Sequence, residues 1–251
     1  MQEIDMKIFA TIEARMNSSR LPGKVMMPVL NRPMIGYLID RLKAVPSLDG
    51  IVLATTTNEV DNILVDFANS EDIHVFRGSE NDVMSRVIEA ADSVDADAIV
   101  EITGDCPIID PDIVEQTILL YKKNKADYAA NSFFSSYPDG MDTQVISTAS
   151  LKKSASMTSD PLDREHVSRH IVNNDQIFKH VYLIAPPSLH WPGLGLTLDE
   201  QADFDLIRTL IERLSPENPM FGCNAIIKYL QENPEILAIN QNVARKDARP
   251  T

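Results

Sequence analysis

Residues 8–24 read Ile-Phe-Ala-Thr-Ile-Glu-Ala-Arg-Met-Asn-Ser-Ser-Arg-Leu-Pro-Gly-Lys, and this stretch indicates the fold. The apolar run at 8–12 predicts a buried strand, and the apolar spacing of 34–39 predicts the start of a helix. A basic loop lies between them. Doubly wound α/β proteins bind ligands at the carboxyl ends of their strands, and this loop follows the first strand. The stretch therefore predicts an α/β fold with a ligand site in that loop.

The loop combines three cations, Arg15, Arg20 and Lys24, with small and hydroxyl-bearing residues. Arginine binds oxygen atoms bidentately and lysine adds a point charge, so the three cations suit a polyphosphate. Ser18 and Gly23 let the backbone approach a ligand closely. The alternative is a solvated basic loop closed by a Pro-Gly turn, and spacing alone does not separate the two. Neither GxxxxGK[ST] nor GxGxxG occurs in the sequence.

Composition narrows the class of protein. The 251 residues are 44% hydrophobic and 24% charged, as in a globular protein with one large domain. The net charge of -14 argues against a general nucleic-acid or membrane binder, so a basic loop in this chain is informative. Glu3 and Asp5 do not fit a signal peptide, and no apolar run is long enough to span a bilayer. Cys106 and Cys223 form no disulfide or zinc pattern, which predicts a cytoplasmic protein.

Residues 7–130 alternate between strand-like and helix-like patterns. Strands are predicted at 7–13, 50–55, 73–77, 98–103 and 126–131, and helices at 33–44, 60–69, 82–93 and 112–123. This alternation predicts a mostly parallel sheet with helices on both faces.

The rhythm changes after residue 131. A loop is predicted at 132–142, strands at 143–147, 179–184 and 195–198, and helices at 148–156, 161–172, 203–213 and 224–232. The polar residues from Ala244 onward are predicted to be frayed.

Two aspartates end apolar runs where strands meet loops. Asp105 follows the predicted strand 98–103, so it would project into the same crevice as the basic loop. Magnesium takes carboxylate and phosphate oxygens, so an aspartate there is a natural ligand, although a plain turn cap before Pro107 is favoured on this residue alone. Asp199 is either a second metal carboxylate or, more simply, the N-cap of the following helix.

Further polar side chains occupy similar junctions. Arg77 could bind a base or phosphates, and Asp82 could equally be an ordinary helix cap. In the irregular half, Arg164 and His166 could bind an anionic acceptor, or they could belong to a solvated helix face. Four polar junction loops on one sheet together favour a site that grips a nucleotide and a metal.

These segments resemble a known family. Residues 12–24 resemble the nucleotide-binding signature of the CMP-sugar synthetases, the acylneuraminate and 3-deoxy-manno-octulosonate cytidylyltransferases. The match is closest to their spore-coat-polysaccharide, SpsF-like branch. That branch also carries Arg-Gly-Ser-x-x-Asp-Val, here 77–83, and Thr-Gly-Asp-Cys-Pro, here 103–107. Gly-x-Asp at 140–142 and Arg-Glu-His-Val at 164–167 complete five matches in the family's order.

The resemblance implies a fold and a reaction. The fold is a single Rossmann-like α/β/α domain over 1–251, with a mostly parallel mixed sheet. The segment at about 132–185 would serve as an acceptor-binding and dimerisation lobe of a homodimer. The reaction is magnesium-dependent transfer of CMP from CTP to an acidic sugar of the nonulosonic or ulosonic type. Pyrophosphate is released, and the product serves surface polysaccharide or glycan synthesis.

The resemblance also assigns roles to residues. Arg15, Lys24 and Asp105 would be catalytic, and Asp105 and Asp199 would bind Mg²⁺. The residues expected to contact the nucleotide are Arg15, Ser18, Arg20, Lys24, Arg77, Asp82 and Thr103. Those expected to face the acceptor are Asp142, Arg164 and His166.

The chain departs from the family pattern at the acceptor end. Gln144 stands where the SpsF-like branch has an acid, and 191–195 lacks the expected basic residue. Glu-Gln-Ala-Asp at 200–203 replaces Pro-Glu-Asp. Alternative hypotheses are therefore a different acceptor, such as a phosphonate or a sugar phosphate, another donor nucleotide, or a non-catalytic nucleotide-binding partner. The joint presence of Lys24, Asp105 and Asp199 disfavours the last.

Overall fold

The structure is a computed structural model that describes residues 6–245. Its strands are β1 (Ile8–Glu13), β2 (Pro28–Val29), β3 (Arg32–Pro33), β4 (Gly50–Thr56), β5 (His74–Gly78), β6 (Ala98–Thr103), β7 (Tyr128–Ala130), β8 (Gln144–Ser147) and β9 (His180–Tyr182). Its α-helices are α1 (Met34–Lys43), α2 (Asn62–Ser70), α3 (Val83–Asp92), α4 (Pro111–Asn124), α5 (Thr148–Met157), α6 (Pro161–Glu165), α7 (Arg169–Val172), α8 (Gln201–Leu214), α9 (Cys223–Glu232) and α10 (Pro234–Leu237).

Seven strands form one mixed sheet in the order β5-β4-β1-β6-β8-β7-β9. Strands β5, β4, β1 and β6 pair in parallel, β8 is antiparallel to both β6 and β7, and β9 is parallel to β7. Strand β8 therefore runs opposite to the other six. This mostly parallel mixed sheet confirms the predicted fold class, and it places the loops after β1, β4, β5 and β6 along one edge.

Helices cover both faces of the sheet because the central strands are apolar on both sides. Alternate residues of β1, such as Ile8 and Ile12, pack with the apolar faces of α1, α2 and α4. Phe9 points to the other face and packs with α3, α5 and α7. A third apolar cluster joins α8 and α9 to the segment 194–198. No described helix meets the length and apolarity required to cross a membrane.

The irregular half differs from the sequence prediction at several points. The single helix predicted at 161–172 is wrong, because α6 and α7 are separate and Val167 between them has a φ of 27°. The strand predicted at 195–198 is also wrong, since only an isolated bridge joins Asp139 to Gly195. The β2–β3 hairpin was not predicted. Of the end predicted to be frayed, 246–251 lie outside the described residues, whereas Arg245 is hydrogen-bonded to Asp203 and Thr197.

Candidate active site

The basic loop after β1 is a compact turn held by its own backbone. The carbonyl of Met16 accepts hydrogen bonds from the N–H groups of Ser18 (3.0 Å) and Gly23 (2.8 Å). The N–H of Met16 donates to Asp61 Oδ1 at 2.7 Å, which fastens the loop to the segment after β4. Gly23 has a φ of 73°, a left-handed conformation that glycine adopts without strain. The turn therefore sets the direction in which the next residue, Lys24, enters the site.

Lys24 joins two aspartates from distant loops. Its ammonium lies 2.9 Å from Asp105 Oδ2 and 3.0 Å from Asp199 Oδ1, and its side chain is only 12% exposed. Burial disfavours the charged ammonium, but the two carboxylates outweigh burial, so the pKa of Lys24 is raised above its usual value. Arg20 adds a second ion pair to Asp199 at 2.8 Å. The three segments predicted to form the catalytic centre thus meet.

The same ion pairs shift the pKa of Asp199 in the opposite direction to that of Lys24. Burial would raise the pKa of its carboxyl, but Lys24 and then Arg20 lower it below the usual range. Asp199 is therefore held as a carboxylate. Thr103 also belongs to this centre, since its hydroxyl donates to Asp105 Oδ1 at 2.6 Å.

Two more aspartates crowd the centre. Burial raises the pKa of Asp139. Burial, with the nearby charges of Asp139 and Asp105, raises the pKa of Asp142 to about 7. Such a concentration of acidic groups favours binding of a cation at this edge of the sheet.

The arrangement of Asp105 and Asp199 fits a divalent cation. Both carboxylates converge on one positive atom, the Lys24 ammonium, at hydrogen-bond distance. Within 6–245 no group of three or more His, Cys, Asp or Glu side chains has the geometry to hold a metal on its own. Mg²⁺ commonly takes one or two carboxylates and completes its shell with phosphate oxygens and water, so two aspartates suffice.

Arg15 and Ser18 lie at the outer part of the loop. The Arg15 guanidinium is half-exposed and pairs with Glu80 at 2.9 Å, in the loop that follows β5. The Ser18 hydroxyl accepts a long contact of 3.5 Å from the N–H of Leu21. No hydrogen bond or ion pair among residues 6–245 links either side chain to Lys24, Asp105 or Asp199, so their predicted roles toward the triphosphate stay predictions.

Arg77 and Asp82 have structural partners. Arg77 donates to the carbonyl groups of Thr56 and Asn58, both at 2.8 Å, and to Asn62 Oδ1 at 2.7 Å, which shapes the loop after β4. Asp82 is the N-cap of α3 and accepts from the N–H of Ser85 at 2.9 Å. The alternative interpretation of Asp82 as a helix cap is confirmed, and contact of either residue with a nucleotide stays a prediction.

The predicted acceptor residues divide into two groups. Arg164 lies against α3, 3.5 Å from Asp82 Oδ2 and 3.5 Å from the sulfur of Met84. His166 ends α6 beside the strained Val167, and β-branched residues with positive φ concentrate at functional sites. Asp142 lies instead near Asp139 and Asp105. No hydrogen bond or ion pair between described residues links Asp142 to Arg164 or His166.

A buried polar network beneath the site was not predicted. Gln144 of β8 faces Glu101 of β6 across the sheet and donates to its Oε2 at 3.0 Å. The amide oxygen of Gln144 accepts from the hydroxyls of Tyr128 (2.5 Å) and Ser168 (2.7 Å). Burial raises the pKa of Glu101 to about 7. Burial and then Glu101 raise the pKa of Glu13 well above its usual value. An acid at an inward position of an apolar strand was the available sequence signal.

Comparison with known proteins decides the family. Residues 9–218 match the family model described as cytidylyltransferase. The chain belongs to the cytidylyltransferase family. Members transfer a cytidylyl group from CTP, so this cytidylyltransferase is an enzyme of the nucleotidyltransferase class.

Three relatives illustrate the likeness. An uncharacterized protein of Methanocaldococcus jannaschii is 35% identical, over 97% of this chain and 98% of its own. The spore coat polysaccharide biosynthesis protein SpsF of Bacillus subtilis is 29% identical, over 91% of this chain and 95% of its own, in keeping with the resemblance to that branch. The structure of a cytidylyltransferase from Leptospira borgpetersenii superposes with a TM-score of 0.87 at 30% identity, covering 96% and 99% of the two chains.

Proposed function

We propose that this cytidylyltransferase transfers CMP from CTP to a hydroxyl group of a small acidic sugar, with Mg²⁺ as cofactor and release of pyrophosphate. The observation that carries the proposal is the convergence of Asp105 and Asp199 on one cation, beside a basic loop that ends in Lys24. The phosphate oxygens of CTP would pair with Lys24 and Arg20. A divalent ion would then take the place of the Lys24 ammonium between the two aspartates.

The residues at this site have separate tasks in the transfer. The acceptor oxygen forms a bond to the α-phosphorus of CTP, the bond to pyrophosphate breaks, and the hydroxyl proton passes to solvent. Lys24 and Arg20 would bind phosphate oxygens and stabilise the charge that develops on them. Asp105 and Asp199 would hold Mg²⁺, which supplies charge neutralisation when bound. Positioning and electrostatics suffice, and no protein nucleophile is required.

The acceptor class rests on two separate groups of residues, Arg164 with His166 and, apart from them, Asp142. Arg164 and His166 offer cationic and hydrogen-bonding groups for a carboxylate, next to the strained Val167. The relative SpsF is named for spore coat polysaccharide biosynthesis, which supports a role in surface polysaccharide or glycan synthesis. The resemblance to the CMP-sugar synthetases supports an acidic sugar of the nonulosonic or ulosonic type. A second candidate acceptor is a phosphonate or a sugar phosphate. It is favoured by Gln144, which pairs with Glu101 and replaces the acid expected at this position in the SpsF-like branch.

An exposed aromatic patch supports a homodimer. Phe133 stacks on Tyr182, and Phe134 packs edge-on against both, with ring centroids 4.5–5.2 Å apart. Phe134 is 54% exposed, and Ile184, two residues after β9, is 59% exposed. Contiguous exposed apolar surface of this kind marks protein–protein contacts, and here it lies on the segment predicted to form the dimer.

Pyrophosphate release tests the proposed function. The protein is mixed with each of the four NTPs in turn, with Mg²⁺ or EDTA, and with a panel of acidic sugars, phosphonates and sugar phosphates. We expect release with CTP and Mg²⁺ that depends on one acidic sugar. Release that persists in EDTA would contradict the magnesium assignment, and release only with a phosphonate or a sugar phosphate would replace the acceptor class.

Two variants accompany this assay. Asp105→Asn is expected to abolish release, because an amide cannot supply the charge that the metal and Lys24 require. Asp112→Asn is the matched control, since Asp112 is an exposed aspartate in the first turn of α4, and it is expected to behave as wild type. Equal activity of both variants would remove Asp105 from the catalytic centre.

A further inference from the structure

We propose that Arg245, at the end of the described chain, is a positioning residue for the active site. It holds the turn that carries Asp199, and it acts through the buried Asp203 and through Thr197. This inference rests on the proposed role of Asp199 as a magnesium ligand. It makes the C-terminal segment part of the catalytic centre, although this segment lies outside the 9–218 match to the family.

Asp203 is the hub of the connection. It lies in the first turn of α8, its side chain is fully buried, and it accepts four hydrogen bonds. Two come from the turn before the helix, from the N–H groups of Asp199 (3.1 Å) and Glu200 (2.9 Å). The other two come from the C-terminal segment, from Asn240 (2.8 Å) and Arg245 (2.6 Å). One carboxylate thus ties the backbone of Asp199 to Asn240 and Arg245 in the C-terminal segment.

Arg245 also contacts the apolar stretch before Asp199. Its Nη1 donates to the Thr197 hydroxyl at 3.2 Å, and its guanidinium packs directly on Gly195. A Cβ atom at Gly195 would lie 2.2 Å from Arg245 Nη2, so only glycine permits this approach. Asn240 donates to the carbonyl of the same glycine at 3.0 Å. The segment 195–203 is therefore anchored at several points by the C-terminal residues.

The anchored segment touches the other acidic loops of the site. The Thr197 hydroxyl donates to Asp139 Oδ2 at 3.2 Å, and the N–H of Leu198 donates to the carbonyl of Asp105 at 2.8 Å. A shift of this segment would change the distance between Asp199 and Asp105, and that distance determines whether one cation can bind both. Groups that hydrogen-bond behind a metal ligand fix its orientation in this way.

Removal of Arg245 has a predictable physical effect. Asp203 would keep three hydrogen-bond donors but would lose its only ion-pair partner within 6–245, while its carboxylate stays buried. The turn before α8 would loosen, and Asp199 would sample positions outside the productive geometry. Lys24 and Arg20 have no hydrogen bond to Arg245 but both pair with Asp199, so triphosphate binding without metal is expected to change less than metal binding.

The test measures Mn²⁺ binding by the electron paramagnetic resonance signal of the free ion, with CTP present and no acceptor. Arg245→Ala is expected to weaken Mn²⁺ binding about 10-fold, as for other groups behind metal ligands. Arg245→Lys keeps the charge but cannot reach Asp203 and Thr197 together, so an intermediate loss is expected. Added guanidinium is expected to restore Mn²⁺ binding in Arg245→Ala, because it can occupy the vacated place on Gly195.

A matched control separates this effect from general loss of an arginine. Arg208 lies on α8, the helix that carries Asp203, and it forms an exposed ion pair with Asp205 at 3.2 Å. Arg208→Ala is therefore expected to bind Mn²⁺ like wild type. CTP affinity in EDTA is expected to equal that of wild type in Arg208→Ala, and to change less than Mn²⁺ affinity in the Arg245 variants.

The outcomes distinguish the proposed magnesium site from the proposed positioning role of Arg245. Wild-type Mn²⁺ affinity in both Arg245 variants would overturn the positioning role while the magnesium site stands. A wild-type protein that binds CTP but no Mn²⁺ would overturn the magnesium site and this inference with it. If Arg245→Ala does not fold, Arg245→Lys decides, and wild-type Mn²⁺ affinity in that variant would overturn the inference.

Discussion

The ammonium of Lys24 lies 3.0 Å from Oδ1 of Asp199, a residue 175 positions later in the chain. This ion pair connects the loop after β1 with the turn before α8, and the second contact of Lys24, to Asp105, adds the loop after β6. In the absence of ligand, Lys24 therefore neutralises the carboxylates that we assign to Mg²⁺. In the proposed reaction, binding of CTP and the metal would exchange these partners, with Lys24 passing to phosphate and the metal to the aspartates.

Lys24→Met tests this exchange. Without the ammonium, Asp105 and Asp199 repel each other, so the ligand-free variant is expected to have a lower Tm than wild type. Mg²⁺ alone is expected to raise the Tm of the variant more than that of wild type, because the Lys24 ammonium no longer competes for the aspartates. Turnover of CTP is expected to fall about 100-fold or more, through loss of charge stabilisation on the phosphates. An identical Mg²⁺ effect on both proteins, measured by thermal unfolding, would contradict the exchange.

Glu101 predicts how stability depends on pH. Burial raises the pKa of this carboxyl from 4.5 to about 7 in the folded protein. Between these values the folded state holds a proton that the unfolded state has lost, so the free energy of unfolding falls as pH rises from about 4.5 to about 7. Glu101→Gln is expected to flatten this decline and to be more stable than wild type at pH 8, by roughly 1–3 kcal/mol. Urea unfolding at several pH values measures the free energy of unfolding of both proteins. Curves of this free energy against pH that run parallel would refute the raised pKa of Glu101.

Gln144 and Glu101 form a cross-strand pair in which the amide and the carboxylate can be swapped between the two positions. Gln144→Glu places a second carboxylate against Glu101 Oε2 and removes the amide donor, so it is expected to cost about 1–3 kcal/mol of stability at pH 8. The double variant Glu101→Gln/Gln144→Glu restores one amide and one carboxylate, and it is expected to recover most of the loss. A double-mutant cycle in urea measures the coupling, and additive effects would show that the two side chains do not interact.

Phe134 tests the proposed homodimer. Phe134→Asp puts a charge into the aromatic patch formed with Phe133 and Tyr182, and it is expected to yield a monomer by size-exclusion chromatography with light scattering. Leu119→Asp is the matched control, because Leu119 is a similarly exposed apolar residue on α4, and it is expected to leave the wild-type assembly intact. A wild-type protein that is itself monomeric would contradict the dimer.

Local sequence patterns were sufficient to predict the strands and helices of the first half of the chain. Strands of a parallel sheet covered on both faces are apolar throughout, and the helices between them carry apolar residues at helical spacing, so both signals lie within short windows. The predictions at 7–13 and 98–103 match β1 and β6 to within one residue. Position at a strand end also sufficed to bring Lys24 and Asp105 together.

The irregular half could not be predicted as well, because its structure depends on distant contacts. The pattern at 161–172 is helical, but Val167 is buried in the core with a positive φ, and that packing divides the helix. The apolar run at 195–198 has the composition of a strand. It stays outside the sheet because its backbone bonds the loops at Asp105 and Asp139, and because Arg245 occupies the space above Gly195.

By itself, the sequence determined the fold class, the family and the basic loop that ends in Lys24, because these depend on residue types at fixed local spacing. Only the tertiary structure decided that Asp199 faces Lys24 rather than merely preceding a helix. It likewise decided that Asp203 and Arg245 support that aspartate, and that Glu101 and Gln144 pair beneath the site. These contacts join residues far apart in the chain, and their strength comes from burial and low solvent access, which arise only when the sheet and its helices have packed.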